Sequence, residues 1–164
     1  MTWCYQEAIT DAAFVHLAGI QRLCINGCNQ ATITDAAFAH LGGVQLLNIC
    51  CCLQLTDAAF VHFRGIHTLY MWGCDQPAIT DAAFVHLRGI DTLVMNGCSQ
   101  ATITGASFSS LKGSSMLEMF GSSAAAVAAA QSLGLPVRAE GGEYQAFTYK
   151  PHAVSATEIC GTGN

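Results

Sequence analysis

The feature that most constrains this chain is a unit that returns in phase five times. Ile9-Thr10-Asp11-Ala12-Ala13-Phe14 comes back as Ile33 to Phe38, Leu55 to Phe60 and Ile79 to Phe84, then altered as Ile103-Thr104-Gly105-Ala106-Ser107-Phe108. The spacings are 24, 22, 24 and 24, and the same period relates Cys4, Cys28, Cys52, Cys74 and Cys98. A unit this short buries only a handful of large side chains, at roughly 1.5 to 3 kcal/mol each. Ordering its residues costs about 1.5 kcal/mol apiece. It cannot stand alone, so stacking on neighbours is required.

Each unit splits into two halves. In Ile90-Asp91-Thr92-Leu93-Val94-Met95, Leu93 and Met95 lie two apart, the period of a short strand with one buried face. Five parallel strands are therefore predicted, centred on Leu23, Leu47, Leu69, Leu93 and Leu117. Further on, Thr80 or Asp81 can accept from the first free N–H groups of a helix. Ala83, Phe84 and Leu87 then share one face over about two turns, and Gly89 supplies a left-handed stop. Ser122 to Leu133 reads as an Ala-rich helix and Leu135-Pro136-Val137 as a last short strand, together a C-terminal cap. The array with its cap thus covers residues 1–139, and residues 140–164 form a tail with no place in the repeat. Because Cys4 aligns with Cys74, the sequence opens in mid-unit, as expected of a fragment of a longer array or of an end that a partner buries.

The order strand, cysteine turn, loop, Ile-Thr-Asp and helix resembles a leucine-rich repeat. Ile66-x-x-Leu69-x-Met71-x-x-Cys74 followed by Ile79-Thr80-Asp81-x-x-Phe84 is similar to the cysteine-containing subfamily, in which Cys takes the place of a buried Asn. The resemblance extends over residues 1 to about 120. It implies an α/β fold: a leucine-rich repeat solenoid with a parallel sheet on its concave side and short helices on its convex side. Members of that subfamily often form the substrate-recognition half of F-box ubiquitin-ligase adaptors, so an adaptor role is among those implied.

Composition excludes several other classes. Only 10% of residues are Asp, Glu, Lys or Arg, and the net charge is -5 with no basic run, which leaves nothing to track a phosphate backbone. Nucleic acid is not an expected partner. No apolar stretch is long enough to span a bilayer, Ala124 to Ala130 being the longest run of small residues, and no leader is visible, so no membrane association is expected. Cysteines that follow the repeat period read as buried, reduced thiols, which together with the missing leader points to an intracellular, cytoplasmic protein.

The periodic columns carry little chemistry. His16, His40, His62 and His86 recur once per unit, about 8 to 10 Å apart if their helices pack normally. That is too far for two imidazoles to share a zinc ion with bonds of about 2 Å. Cys28, Cys52, Cys74 and Cys98 read as inward packing groups, although Cys50 and Cys51 break the pattern. Asp11, Asp35, Asp57 and Asp81 read as first-turn helix residues. Arg64, Arg88 and Lys112 sit just before the glycine that ends each helix, where a cation complements free carbonyls. There is no phosphate loop, nucleophile elbow or unexplained acid pair, so neither an enzyme nor a metal or cofactor site is expected.

The strand half is more informative because it varies where the helix half does not. Cys24-Ile25-Asn26, Asn48-Ile49-Cys50, Tyr70-Met71-Trp72, Val94-Met95-Asn96 and Glu118-Met119-Phe120 keep an apolar centre and change on both sides. By alternation the changing residues face the concave surface, which gathers Tyr70, Trp72, Val94, Asn96, Glu118 and Phe120 into one patch. Exposed aromatic rings beside polar groups are the composition of interaction hot spots. The expected function is a protein- or peptide-binding module; the alternative is a structural or non-functional piece of a larger repeat protein.

Overall fold

Alternation within a unit sends every second strand residue inward, and parallel pairing stacks like residues from unit to unit. The computed structural model, which describes residues 8–139, has this arrangement. Six strands, β1 (Arg22–Cys24), β2 (Leu46–Asn48), β3 (Thr68–Tyr70), β4 (Thr92–Val94), β5 (Met116–Glu118) and β6 (Val137–Arg138), form one open parallel sheet in sequence order. Leu23, Leu47, Leu69, Leu93 and Leu117 stand opposite one another in register, at the five predicted centres. The ladder runs on past the strands: Cys51 donates its N–H to the Trp72 carbonyl, Gly73 to Asn96 and Gly97 to Phe120, each at 2.8 Å.

The other half of each unit is tighter than the sequence suggests. Each unit has the expected short helical segment, built from single α-turns, α1 (Asp57–Phe60) and α2 (Asp81–Phe84), and from 3-10 turns over Asp11–Leu17, Asp35–His40, Val61–Phe63 and Phe108–Leu111. Strands repeat about every 4.8 Å, whereas an α-helix with its side chains is about 10 Å wide. Neighbouring full helices would crowd, so much of this half winds more tightly, as 3-10 rather than α. Their inward face is as expected, with Ala83, Phe84 and Leu87 buried. Phe14, Phe38, Phe60, Phe84 and Phe108 form the spine of the core, and Phe84 meets Phe108 edge-on with ring centroids 5.0 Å apart. The unit that is two residues shorter contributes a second ring, Phe63, edge-on to Phe38 at 5.3 Å.

Units are tied by three ladders of hydrogen bonds. The Cys52, Cys74 and Cys98 thiols donate to the carbonyls of Ile25, Ile49 and Met71 in the preceding unit, each at 3.2 Å. Gln76 and Gln100 donate through Nε2 to the carbonyls of Cys52 and Cys74, each at 3.0 Å. The third ladder adds a role to the aspartates, which stand in their first turns as the sequence suggests. Thr80 caps its turn by accepting from the Ala82 N–H at 3.1 Å, but Asp81 turns away from its own turn and grips the next unit. Its carboxylate accepts from the Thr104 hydroxyl at 2.5 Å and from the Gly105 N–H at 2.8 Å. Asp57 holds Thr80 the same way, by hydroxyl at 2.6 Å and N–H at 2.8 Å, and Asp11 and Asp35 hold Thr34 and Thr56.

The array closes on α3 (Ala124–Ser132), within the predicted Ala-rich segment, with Ala126 and Ala130 buried. The last strand begins at Val137 rather than Leu135. Pro136 has no N–H to give, and it enters the ladder only as an acceptor, from the Leu117 N–H at 3.0 Å. The tail over residues 140–164 lies outside the described residues.

Candidate functional site

One face of the sheet is covered by the turns, and among the described residues nothing covers the other. Leu69, Met71, Leu93, Met95, Leu117 and Met119 are fully buried beneath the turns, so the residues alternating with them point to the open face. The register places Tyr70, Val94 and Glu118 side by side on β3, β4 and β5. Two residues further on, Trp72, Asn96 and Phe120 follow on the same ladder. All six residues of the predicted patch are therefore brought together. They are not equally available: Tyr70, Trp72, Asn96, Glu118 and Phe120 are half-buried, but Val94 is buried at 9% exposure. A short aliphatic side chain set between Tyr70 and Glu118 is shaded by both, so Val94 serves as floor rather than as contact.

Two polar members are engaged within the sheet. Asn96 accepts the Phe120 N–H at 2.9 Å and donates to Glu118 Oε1 at 2.6 Å. Asn48, one step along the neighbouring column, is 3% exposed and accepts the Cys50 N–H at 3.1 Å. These amides take up backbone N–H groups where the strands end, Asn48 within its own unit and Asn96 from the next, a role for which an exposed position in a strand pattern gives no signal. Sequence reasoning also missed residues of the open face that precede the variable triplets. Leu46, Thr68, Thr92 and Met116 form a further half-buried column, and Arg138 on β6 stands next to Glu118. The signal was available, since each lies two residues before Asn48, Tyr70, Val94 or Glu118.

The remaining columns lie elsewhere. His16 and His40 are exposed on the turn side and His62 and His86 half-exposed, and no three His, Cys, Asp or Glu side chains among the described residues come together as a metal would need. Burial pushes the Cys52 and Cys98 thiols up to about 12 and Cys74 well above its ordinary value, so all three are neutral. Cys50 shifts upward for the same reason. Cys51 is different in backbone rather than in acidity. It has φ +57°, at the turn position that glycine occupies as Gly27, Gly73, Gly97 and Gly121. On the turn side Val15, Val61 and Val85 are 41 to 50% exposed, a row of apolar groups that the sequence reading passed over.

A search of solved structures finds a similar fold in one chain of the yeast Rad7 and Elc1 complex, at 16% identity and a TM-score of 0.53. The match covers 69% of this chain and 33% of that one, so the chain spans about a third of the length of the protein it matches. At that identity the likeness concerns the fold. No family model matches, and no curated protein does. No helix among the described residues is long and apolar enough to cross a membrane.

Proposed function

We propose that the chain is a leucine-rich repeat solenoid of the cysteine-containing kind whose open, concave sheet face binds a protein or peptide, in the manner of an adaptor rather than an enzyme. The observation that carries this reading is the placement of Tyr70, Trp72 and Phe120 together on a sheet face that the fold leaves uncovered. The stack does not require rings there, because Asn26, Cys50 and Asn96 occupy the column of Trp72 in other units. Rings kept half-exposed add little to the core but much to an interface, where truncating a central anchor costs about 2 kcal/mol or more. The similar yeast structure is that of a complex, which agrees with a role in assembly. A substrate-recognition role in a ubiquitin ligase, and a reducing cytoplasmic location, go with the same reading; the buried thiol column supports the second.

Trp72→Ala is the test. Partner binding is expected to weaken more than tenfold with the fold retained, since Asn26, Cys50 and Asn96 occupy the same column in other units without interrupting the sheet ladder. The exposed valine row favours docking on the turn side as the second reading, and Val85→Asp probes it. Loss of binding in Val85→Asp with none in Trp72→Ala would move the site to that side. Indifference to both would leave the array a structural piece of a larger protein.

A further inference from the structure

The charge distribution on the open face narrows what can lie there. From β2 through β4, every outward residue between Leu46 and Cys50, between Thr68 and Trp72 and between Thr92 and Asn96 is uncharged. Charge flanks this strip, with Arg22 on β1 at one end, Glu118 beside Arg138 at the other, and Asp91 at the start of β4, where its carboxylate accepts from the Thr92 hydroxyl at 3.1 Å and lies 4.0 Å from His67. Glu118 is also held by the Asn96 amide at 2.6 Å. Asn48 and Asn96 spend their carbonyl oxygens on backbone N–H groups of Cys50 and Phe120. Backbone N–H and carbonyl groups of the central strands are paired with neighbouring strands. The centre of the face thus offers a partner rings, methyl groups and a few hydroxyls, and no counter-ion.

A partner charge brought over Tyr70 and Trp72 would lose its water and meet nothing to replace it. Apolar side chains there would gain from burial in the ordinary way. The width of the face sets a length. Crossing from β1 to β5 means four strand spacings of about 4.8 Å, roughly 19 Å, or about six residues of extended chain at 3.3 Å each, of which the uncharged strands β2 to β4 take about three. We propose that the open face takes an extended partner polypeptide lying across the strands, whose central stretch of about three residues is uncharged and rich in aliphatic and aromatic side chains. This rests on the open face being the binding site. Association of this kind is not steered by charge, so it is nearly indifferent to salt.

The test is selection of binders from a displayed library of random 12-residue peptides on the whole protein, followed by affinity measurements on the enriched peptides. Expected are peptides with an uncharged core of about three residues, whose Kd changes less than twofold between 50 and 500 mM NaCl. A single Lys or Glu placed at the core centre should weaken them at least tenfold, as should Trp72→Ala, with Phe120→Ala as a second variant should the first fail to fold. Peptides with charged cores, or a Kd that rises more than fivefold with salt, yet still lost in Trp72→Ala, would overturn this proposal and leave the open-face reading standing. Peptides that bind both variants as well as the unaltered protein would overturn the open-face reading itself. A library that yields no binder at all counts against both.

Discussion

The turn that carries Asp81 and the turn that carries Gly105 occupy the same place in consecutive units and do opposite things. Asp81 reaches forward to hold Thr104 and the Gly105 N–H of the next unit. At Gly105 there is no further Ile-Thr-Asp to hold, and α3 packs against the turn instead. A Cβ at Gly105 would stand 2.5 Å from the Ala129 Cβ and 3.4 Å from the Ala126 Cα, and the residue has φ +85°. What looks in sequence like decay of the fifth copy is the seat of the cap. A departure from the repeat therefore records a change of neighbour, and the same question can be put to Cys51, the other departure in a turn.

The largest expected effect tests what the two turns share, which is the thiol ladder beneath them. Cys52, Cys74 and Cys98 have folded-state pKa values raised by burial. Their stabilisation is complete below the unfolded thiol pKa of about 8.5 and is lost as the pH climbs toward the folded values. Between pH 8 and 10 Cys52 and Cys98 should each cost about 2 kcal/mol of stability, with Cys74 pulling in the same direction. Urea unfolding at the two pH values would show a steep fall in midpoint, and an unchanged midpoint would mean that the ladder is open to water.

Restoring the consensus with Gly105→Asp comes next and separates the two turns most sharply. Left-handed strain of about 1 to 2 kcal/mol and overpacking of about 1 to 3 kcal/mol should together remove about 3 kcal/mol. A thermal melt equal to that of the unaltered protein would return the fifth copy to simple decay. The reciprocal change, Asp57→Ala, removes an interior clamp and leaves the Thr80 N–H without its acceptor, at a cost of about 2 kcal/mol by denaturant titration. A loss under about 0.5 kcal/mol would reduce the aspartate column to the helix-start role that the sequence suggests.

The smallest effect is of opposite sign. Cys51→Gly relieves a left-handed non-glycine residue at the cost of a more flexible unfolded chain, for a net gain of about 0.5 kcal/mol. Its thiol lies against Gly73, 3.2 Å from where a Cβ would stand, beside the Trp72 carbonyl that its N–H meets. A lower melting temperature in this variant would show that the Cys51 side chain supports the Trp72 corner of the open face, which would make it a departure with a neighbour of its own.

Periodicity was enough to read the strand centres, their parallel order, the inward Leu and Phe columns and the location of the cap. Those properties follow from which residues recur and at what interval, and stacking leaves few other ways to bury them. It was also enough to choose the open-face residues, since alternation along a strand assigns a side to each. Which of them are available was decided by tertiary structure: Val94 is shaded by Tyr70 and Glu118, and Asn96 is bound to Glu118 and the Phe120 N–H. The turns wind more tightly for a reason no single unit contains, the mismatch between strand spacing and helix width. The aspartates stand in their first turns as read, but their grip on the next unit was hidden on the same ground, for a carboxylate in a first turn has the same local pattern whether it serves its own backbone or reaches into the next unit. A repeat determines its own contents; the partners of its polar groups come from the unit beside it.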